Sequence, residues 1–283
     1  MNRERLLQRL LGLGIGAAAV GLATGGIGYG ARELLHRQAE AARRMIGKPL
    51  GEQAPRADKV WKKKYGDPIE LLVLGDSIAA GLGADLPKET FGGRLAIRLA
   101  KATQRSVRLT TGAVVGSESS MLGAQIAGLR PGYVPDVAVI VVGGNDVTHR
   151  VPVADSVKHL EEAIAILRER GSAVVVGTCP DLGALRPVPQ PLRSLGSRAS
   201  RQLAAAQASA AVRSGAHAVS LADVVGPFFI TNPDEMFSLD RFHPSALGYK
   251  RTARAMLPSV LAALGVEEHV PFGHQPPAQP SDR

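Results

Sequence analysis

Between residues 69 and 264 the chain alternates short, nearly unbroken apolar runs with longer stretches in which apolar residues recur every three or four positions. The runs at 69–75, 107–113, 136–142, 173–178 and 217–221 read as strands buried on both faces, the habit of a parallel sheet. Stretches at about 89–103, 119–128, 153–170, 194–214 and 244–264 carry the helical period. Strand alternating with helix predicts an α/β fold: a three-layer α/β/α sandwich on a doubly wound, five-stranded parallel sheet of flavodoxin type. The whole pattern fits a single domain over residues 68–265.

Outside that core the pattern changes. Residues 10–31 carry no charge and consist mostly of Leu, Ile, Val, Ala and Gly, with Arg3, Arg5 and Arg9 ahead of them. About 20 apolar residues suffice to cross a bilayer. The run is long for a cleaved secretory signal and no clean Ala-x-Ala site closes it, so residues 1–31 are expected to hold an uncleaved signal anchor. Arg32, Arg37, Arg43, Arg44 and Lys48 follow the segment, so flanking charge alone does not orient it. The layout resembles an export signal, which predicts a single-pass membrane protein with its domain outside the cytoplasm, or a secreted one if the leader is cleaved. Residues 32–67 read as a basic linker ending in Lys62-Lys63-Lys64, and the proline-rich 266–283 as a disordered tail.

Charge narrows the function classes. Of 34 Lys and Arg and 25 Asp and Glu, residues 1–64 hold 13 and 5, leaving 21 and 20 for the rest. A nucleic-acid binder carries its excess on the folded domain; here the excess sits in the leader, and no nucleic-acid partner is expected. The single cysteine, Cys179, excludes an intrachain disulfide. It follows an apolar run and reads as a buried structural thiol.

Four short motifs fall on the predicted strand ends: Gly75-Asp76-Ser77-Ile78, Gly112-Ala113-Val114-Val115-Gly116-Ser117, Gly143-Gly144-Asn145-Asp146 and, before the last helix, Asp240-Arg241-Phe242-His243-Pro244. The carboxyl edge of an open α/β sheet is where ligands bind. Each motif also reads as ordinary structure: a turn at Gly-Asp-Ser, turn residues at Asn145-Asp146, a helix cap at Asp240 with an incidental histidine. Asp76 reads as a loop brace, His149 as a competing base, and His159 and His217 as structural. Together the motifs supply a hydroxyl nucleophile, a histidine of suitable basicity with an orienting carboxylate, and donors for an oxyanion.

In order and spacing these motifs closely resemble the SGNH hydrolases, the GDSL-type serine esterases and lipases, from about Ile69 to Leu264. Two details depart from the family: Ile78 stands for the usual leucine, and Val115 for a small polar residue before Gly116. The resemblance implies Ser77 as nucleophile, Asp240 and His243 as its acid and base, Gly116 and Asn145 in the oxyanion hole, a small ester as substrate, and no metal or organic cofactor. Other hydrolase patterns are absent. Gly116-Ser117-Glu118-Ser119-Ser120 lacks the closing glycine of a nucleophile elbow, and neither His-Glu-x-x-His nor a Walker loop occurs. Acyl transfer to a cell-envelope sugar or lipid, and a membrane-tethered binding module without catalysis, stand as alternatives. Substrate choice is expected to rest on two irregular stretches, Pro180 to Gly196 and Gly226 to Leu239.

Overall fold

The computed structural model describes residues 53–278, together with residues 30, 32–42, 44 and 51. The expected anchor, apart from Gly30, lies outside the described residues; among those described, no helix is long and apolar enough to cross a membrane. Among the described residues seven strands form one sheet: β1 (Val60–Trp61), β2 (Pro68–Gly75), β3 (Ser106–Thr111), β4 (Val137–Val141), β5 (Ala173–Gly177), β6 (His217–Val219) and β7 (His274–Gln275). Their order is β1-β3-β2-β4-β5-β6-β7. The five apolar runs form the parallel centre, β3-β2-β4-β5-β6. The sheet is nevertheless mixed rather than five-stranded, because β1 and β7 close its edges antiparallel.

From Ser77 onward the helices of four or more residues are α1 (Ser77–Ala80), α2 (Phe91–Thr103), α3 (Leu122–Ala127), α4 (Gly144–His149), α5 (Val153–Glu169), α6 (Leu192–Arg213), α7 (Leu221–Val224), α8 (Gly226–Thr231), α9 (Pro233–Met236) and α10 (Ala246–Ala263). Strand residues alternate between two cores, as a period of two requires. Leu71, Val73, Val139 and Val175 pack with Phe91, Leu95 and Leu99 of α2 and with Tyr249, Met256 and Val260 of α10. Leu72, Leu74, Ile140 and Val176 pack with Ile126 of α3, Leu160 and Ile164 of α5 and Ala211 of α6. Each fully buried Leu or Val contributes about 1.5–3 kcal/mol. The chain leaves β2 toward the α2 face and β4 toward the α5 face, so the adjacent ends of β2 and β4 form the switch point where a doubly wound sheet opens a crevice.

Both flanks differ from expectation. The second half of the supposed linker belongs to the domain: Ala57 and Trp61 are buried in the α2-side core. The Trp61 indole N–H donates to the Ala57 carbonyl at 3.1 Å. Residues 32–42 are helical, and the Gln38 amide brackets the chain ahead of α6, donating to the Gln190 carbonyl and accepting from the Leu192 N–H. At the other end the described part of the tail is ordered. Gly273 accepts from the Ser220 N–H, His274–Gln275 pairs with β6, and the Ala278 N–H donates to Val212. An antiparallel edge strand needs only backbone groups to pair, and two residues are too few to show a period.

Gly75, the last residue of β2, has φ +130, and a Cβ there would lie 1.8 Å from the Val141 carbonyl oxygen. We expect Gly75→Ala to destabilise the domain by about 2–4 kcal/mol, a fall in Tm on the order of 5–15 °C; an unchanged Tm would show that the two strand ends can separate freely. A second prediction concerns the β6–β7 edge. Burial holds His217 and His274 below the usual histidine range, and the His274 ring packs against the buried Ser259 hydroxyl at 2.7 Å. The unfolded chain, whose histidines titrate near 6.5, therefore takes up these protons more readily than the folded one. Stability from this edge is complete above about pH 6.5 and is lost as pH falls below it. Hydrogen exchange at Ala218 and Val219, corrected for intrinsic rates, should quicken between pH 7.5 and 5.5; equal protection would exclude the effect.

Candidate active site

Ser77 owes its place to a sharp exit from β2. The Asp76 N–H donates to the Val141 carbonyl at 3.1 Å, holding the two strand ends together. Asp76 then caps α1, its Oδ1 accepting the Ile78 N–H at 2.9 Å. This puts Ser77 at the first helical position, where its own N–H has no acceptor within the helix. The residue is nearly covered, at 7% exposure. Burial pushes the Asp76 carboxyl up to about 6, while its backbone hydrogen bond and His243 pull the other way.

The residue facing Ser77 comes from the far end of the domain. The loop between α9 and α10 is closed by a Phe237–Pro244 bridge and by the Ser238 N–H donating to the His243 carbonyl. Within it, Asp240 Oδ1 accepts the Ser238 hydroxyl at 2.8 Å and the Phe242 and His243 N–H groups at 2.9 Å. Asp240 Oδ2 lies 2.6 Å from His243 Nδ1, and His243 Nε2 lies 2.9 Å from Ser77 Oγ. Burial opposes ionisation of Asp240, yet the hydrogen bonds from the His243 ring and the two backbone N–H groups outweigh it and hold the carboxyl at about 2. Ser77, His243 and Asp240 thus form one continuous hydrogen-bonded chain, and Phe242 stands edge-on to the imidazole with ring centres 4.9 Å apart.

Asn145, on the first turn of α4, lines the same cavity as Ser77. One N–H of its amide donates to the Ser117 carbonyl at 2.9 Å, and the second remains for another acceptor. Gly116 is not brought to the cavity: it occupies an exposed turn at φ +84, next to Ser117. His149 is exposed and bonded to Glu118 at 2.6 Å. Cys179 is buried beneath Gly143, and burial pushes its thiol well above the usual range, so it is no nucleophile.

Two supporting residues had little sequence signal. Gln125, a polar side chain within the apolar stripe of α3, is buried. It accepts the Gly75 N–H at 2.9 Å and donates to the Gly75 carbonyl at 2.8 Å and to Ser117 Oγ at 3.0 Å. Asp146, fully buried, accepts the Ser119 N–H with both oxygens and the Ser156 hydroxyl at 2.7 Å. Between them they pin the loop after β3 to the ends of β2 and β4.

Beside Ser77 lies a cavity of about 80 Å³. Its walls include Ile78, Leu182, Leu185, Leu221, Val225, Phe229 and Phe237, and Phe229 and Phe237 meet edge to face at 4.9 Å. Both irregular stretches singled out in the sequence therefore contribute to it. A larger groove of about 800 Å³ runs along β3 past Arg108, Leu129 and Tyr133, and holds none of Ser77, Asn145, Asp240 or His243.

Comparison with known proteins gives the family and the fold. A family model described as GDSL-like lipase/acylhydrolase matches residues 73–251. A GDSL-like esterase of Mycobacterium tuberculosis is 38% identical over 276 residues, covering 93% of this chain and 87% of that protein. Among solved structures, the psychrotrophic esterase EstA from Pseudoalteromonas superposes with a TM-score of 0.55 at 18% identity, over 70% of this chain and 99% of its own. The acetylxylan esterase Axe2 from Geobacillus stearothermophilus gives 0.53 at 19% identity, over 71% and 96%. At those identities the structures speak for the fold, while the family model and the mycobacterial relative speak for kinship. The chain belongs to the GDSL-like lipase/acylhydrolase family of carboxylic ester hydrolases.

Proposed function

We propose that this chain hydrolyses short-chain carboxylic esters through an acyl-enzyme on Ser77. The observation that carries the reading is the chain Ser77 Oγ, His243 Nε2, His243 Nδ1, Asp240 Oδ2, with links of 2.9 and 2.6 Å. A serine hydroxyl attacks only when a base takes its proton. His243 accepts it as the Oγ–carbonyl bond forms, and ionised Asp240 holds the ring's tautomer and stabilises the imidazolium. The tetrahedral oxyanion collapses, the bond to the alcohol oxygen breaks, and His243 returns the proton to the leaving alkoxide. Water, deprotonated in turn by His243, releases the acid and restores Ser77. The Ser77 N–H and the second N–H of Asn145 border the cavity as oxyanion donors. The family resemblance implies a third donor, the Gly116 N–H; its turn stands outside the cavity, next to the Ser117 that Asn145 bonds.

The membrane reading is proposed on sequence grounds: the uncharged run 10–31 behind three arginines supports a single-pass anchor, with the catalytic domain outside the cytoplasm.

With p-nitrophenyl butyrate as substrate, Ser77→Ala should lower kcat by about 10³-fold or more. Asn145→Ala should lower kcat by about 10²–10³-fold with KM little changed. Full activity in Ser77→Ala would refute the acyl-enzyme route. The cavity supports the short acyl chain. At roughly 10–15 Å³ for each water-sized group, it takes about five to eight such groups. A series from acetate to palmitate should peak at about four to six carbons, and Phe229→Ala should move the peak to longer chains. A palmitate optimum would show that the acyl chain lies elsewhere.

A further inference from the structure

Helices α2 and α10 pack side by side over one face of the sheet, and their outer positions carry only positive charge. Arg94, Arg98 and Lys101 recur at i, i+4 and i+7 on α2, and Lys250, Arg251 and Arg254 at i, i+1 and i+4 on α10, a single stripe on each helix. Neither helix contains an Asp or Glu. None of the six cations makes an ion pair among the described residues. The stripes adjoin, since burial and then the charges of Arg254 and Arg94 lower the affinity of Arg98 for its proton. Acidic groups flank the stripes: Asp85 and Glu89 precede α2, Glu267 and Glu268 follow α10, and Asp234 and Glu235 stand on α9, which packs on α10.

A stripe of like charges with no partner is costly to the folded chain and finds its compensation in an anionic surface. The N-terminal tips of the same helices add a second feature. Leu86, 45% exposed, opens the turn Pro87–Glu89 that packs on both helices, and Leu239, 83% exposed, is the neighbour of Asp240. Arg251 stacks on Phe228 at 4.4 Å, one residue from the cavity wall at Phe229. Cations along the face and large aliphatic side chains at the rim of the site are the composition of a lipid-interfacial surface.

We propose that the α2/α10 face docks on an anionic lipid bilayer, with Leu86 and Leu239 entering the interface beside the mouth of the site. A soluble polyanion would engage the six cations but would give the two leucines no role, and the face has no free aromatic platform for single-stranded nucleic acid. Docking of this face does not depend on Ser77 being the nucleophile.

Flotation of the full-length chain with phosphatidylcholine vesicles, with and without 30% phosphatidylglycerol, tests it. The wild-type chain and Arg98→Glu/Lys101→Glu/Arg254→Glu share one leader, so a difference between them reports the face alone. Phosphatidylglycerol should raise wild-type binding about tenfold or more at 50 mM salt, and 500 mM salt should erase the gain. The triple variant should lose the gain while keeping its turnover of a water-soluble ester, which also shows that it folds. Leu86→Ser/Leu239→Ser should weaken binding at both salt concentrations. A phosphatidylglycerol gain that persists in the triple variant, or no gain in the wild type, overturns the proposal. So does a face that binds polyphosphate but not vesicles.

Discussion

The end of β2 passes so close to the end of β4 that no side chain fits between them, and the site is built outward from this contact. Gly75 takes a left-handed turn against the Val141 carbonyl, and the next N–H, that of Asp76, hydrogen-bonds to the same oxygen. The chain must then rise off the sheet, and Asp76 starts a helix whose first residue is Ser77. Gln125 grips both backbone groups of Gly75 and reaches Ser117, so the turn that carries Ser77 and the loop that carries Gly116 are tied together. An enzyme that must hold a hydroxyl near an imidazole gains from such a mounting, because small displacements of reacting groups cost large factors in rate.

Burial at this edge has three different electrostatic outcomes. Asp240 stays a strong acid because three donors saturate one of its oxygens and the His243 ring faces the other. Asp76 is pushed up to about 6 because burial outweighs its backbone bonds and Asp146 adds repulsion. Cys179 is buried beside the same carboxylates and holds its proton most firmly. The number of aimed donors, more than depth, decides which group keeps a charge. It leaves the carboxylate beside His243 readily ionised, while burial pushes Asp76 and Cys179 toward their neutral forms. The cationic face of α2 and α10 follows the opposite rule: its charges are half in water and depend on an external partner.

Much of this was legible in the sequence, and the exceptions share a cause. The five central strands and the long helices appear within a few residues of their apolar patterns, since a strand buried on both faces has no choice but to be apolar. The edges β1 and β7 were missed because two-residue strands pair through backbone groups that every sequence offers. The same holds for the ordered start of the proline-rich tail. In the site, Ser77, Asn145, Asp240 and His243 could be named because each sits in a short motif at a strand or helix end. Gln125 could not, because a lone glutamine on an apolar helix announces nothing until its partners are known. Gly116 could be named but not placed, because a turn's motif does not say which way its N–H points.

The sequence by itself therefore determined the layer architecture, the carboxyl edge at which the chemistry gathers, and the types of residue present there, since all three follow from periodicity and local backbone preference. Tertiary structure alone decided that His243 reaches across 166 residues to Ser77 while His149 turns away to Glu118. It also decided that the cavity is small, and that the basic stripes of two distant helices lie side by side. Those are facts of packing, where the neighbours come from far along the chain and no local pattern records them.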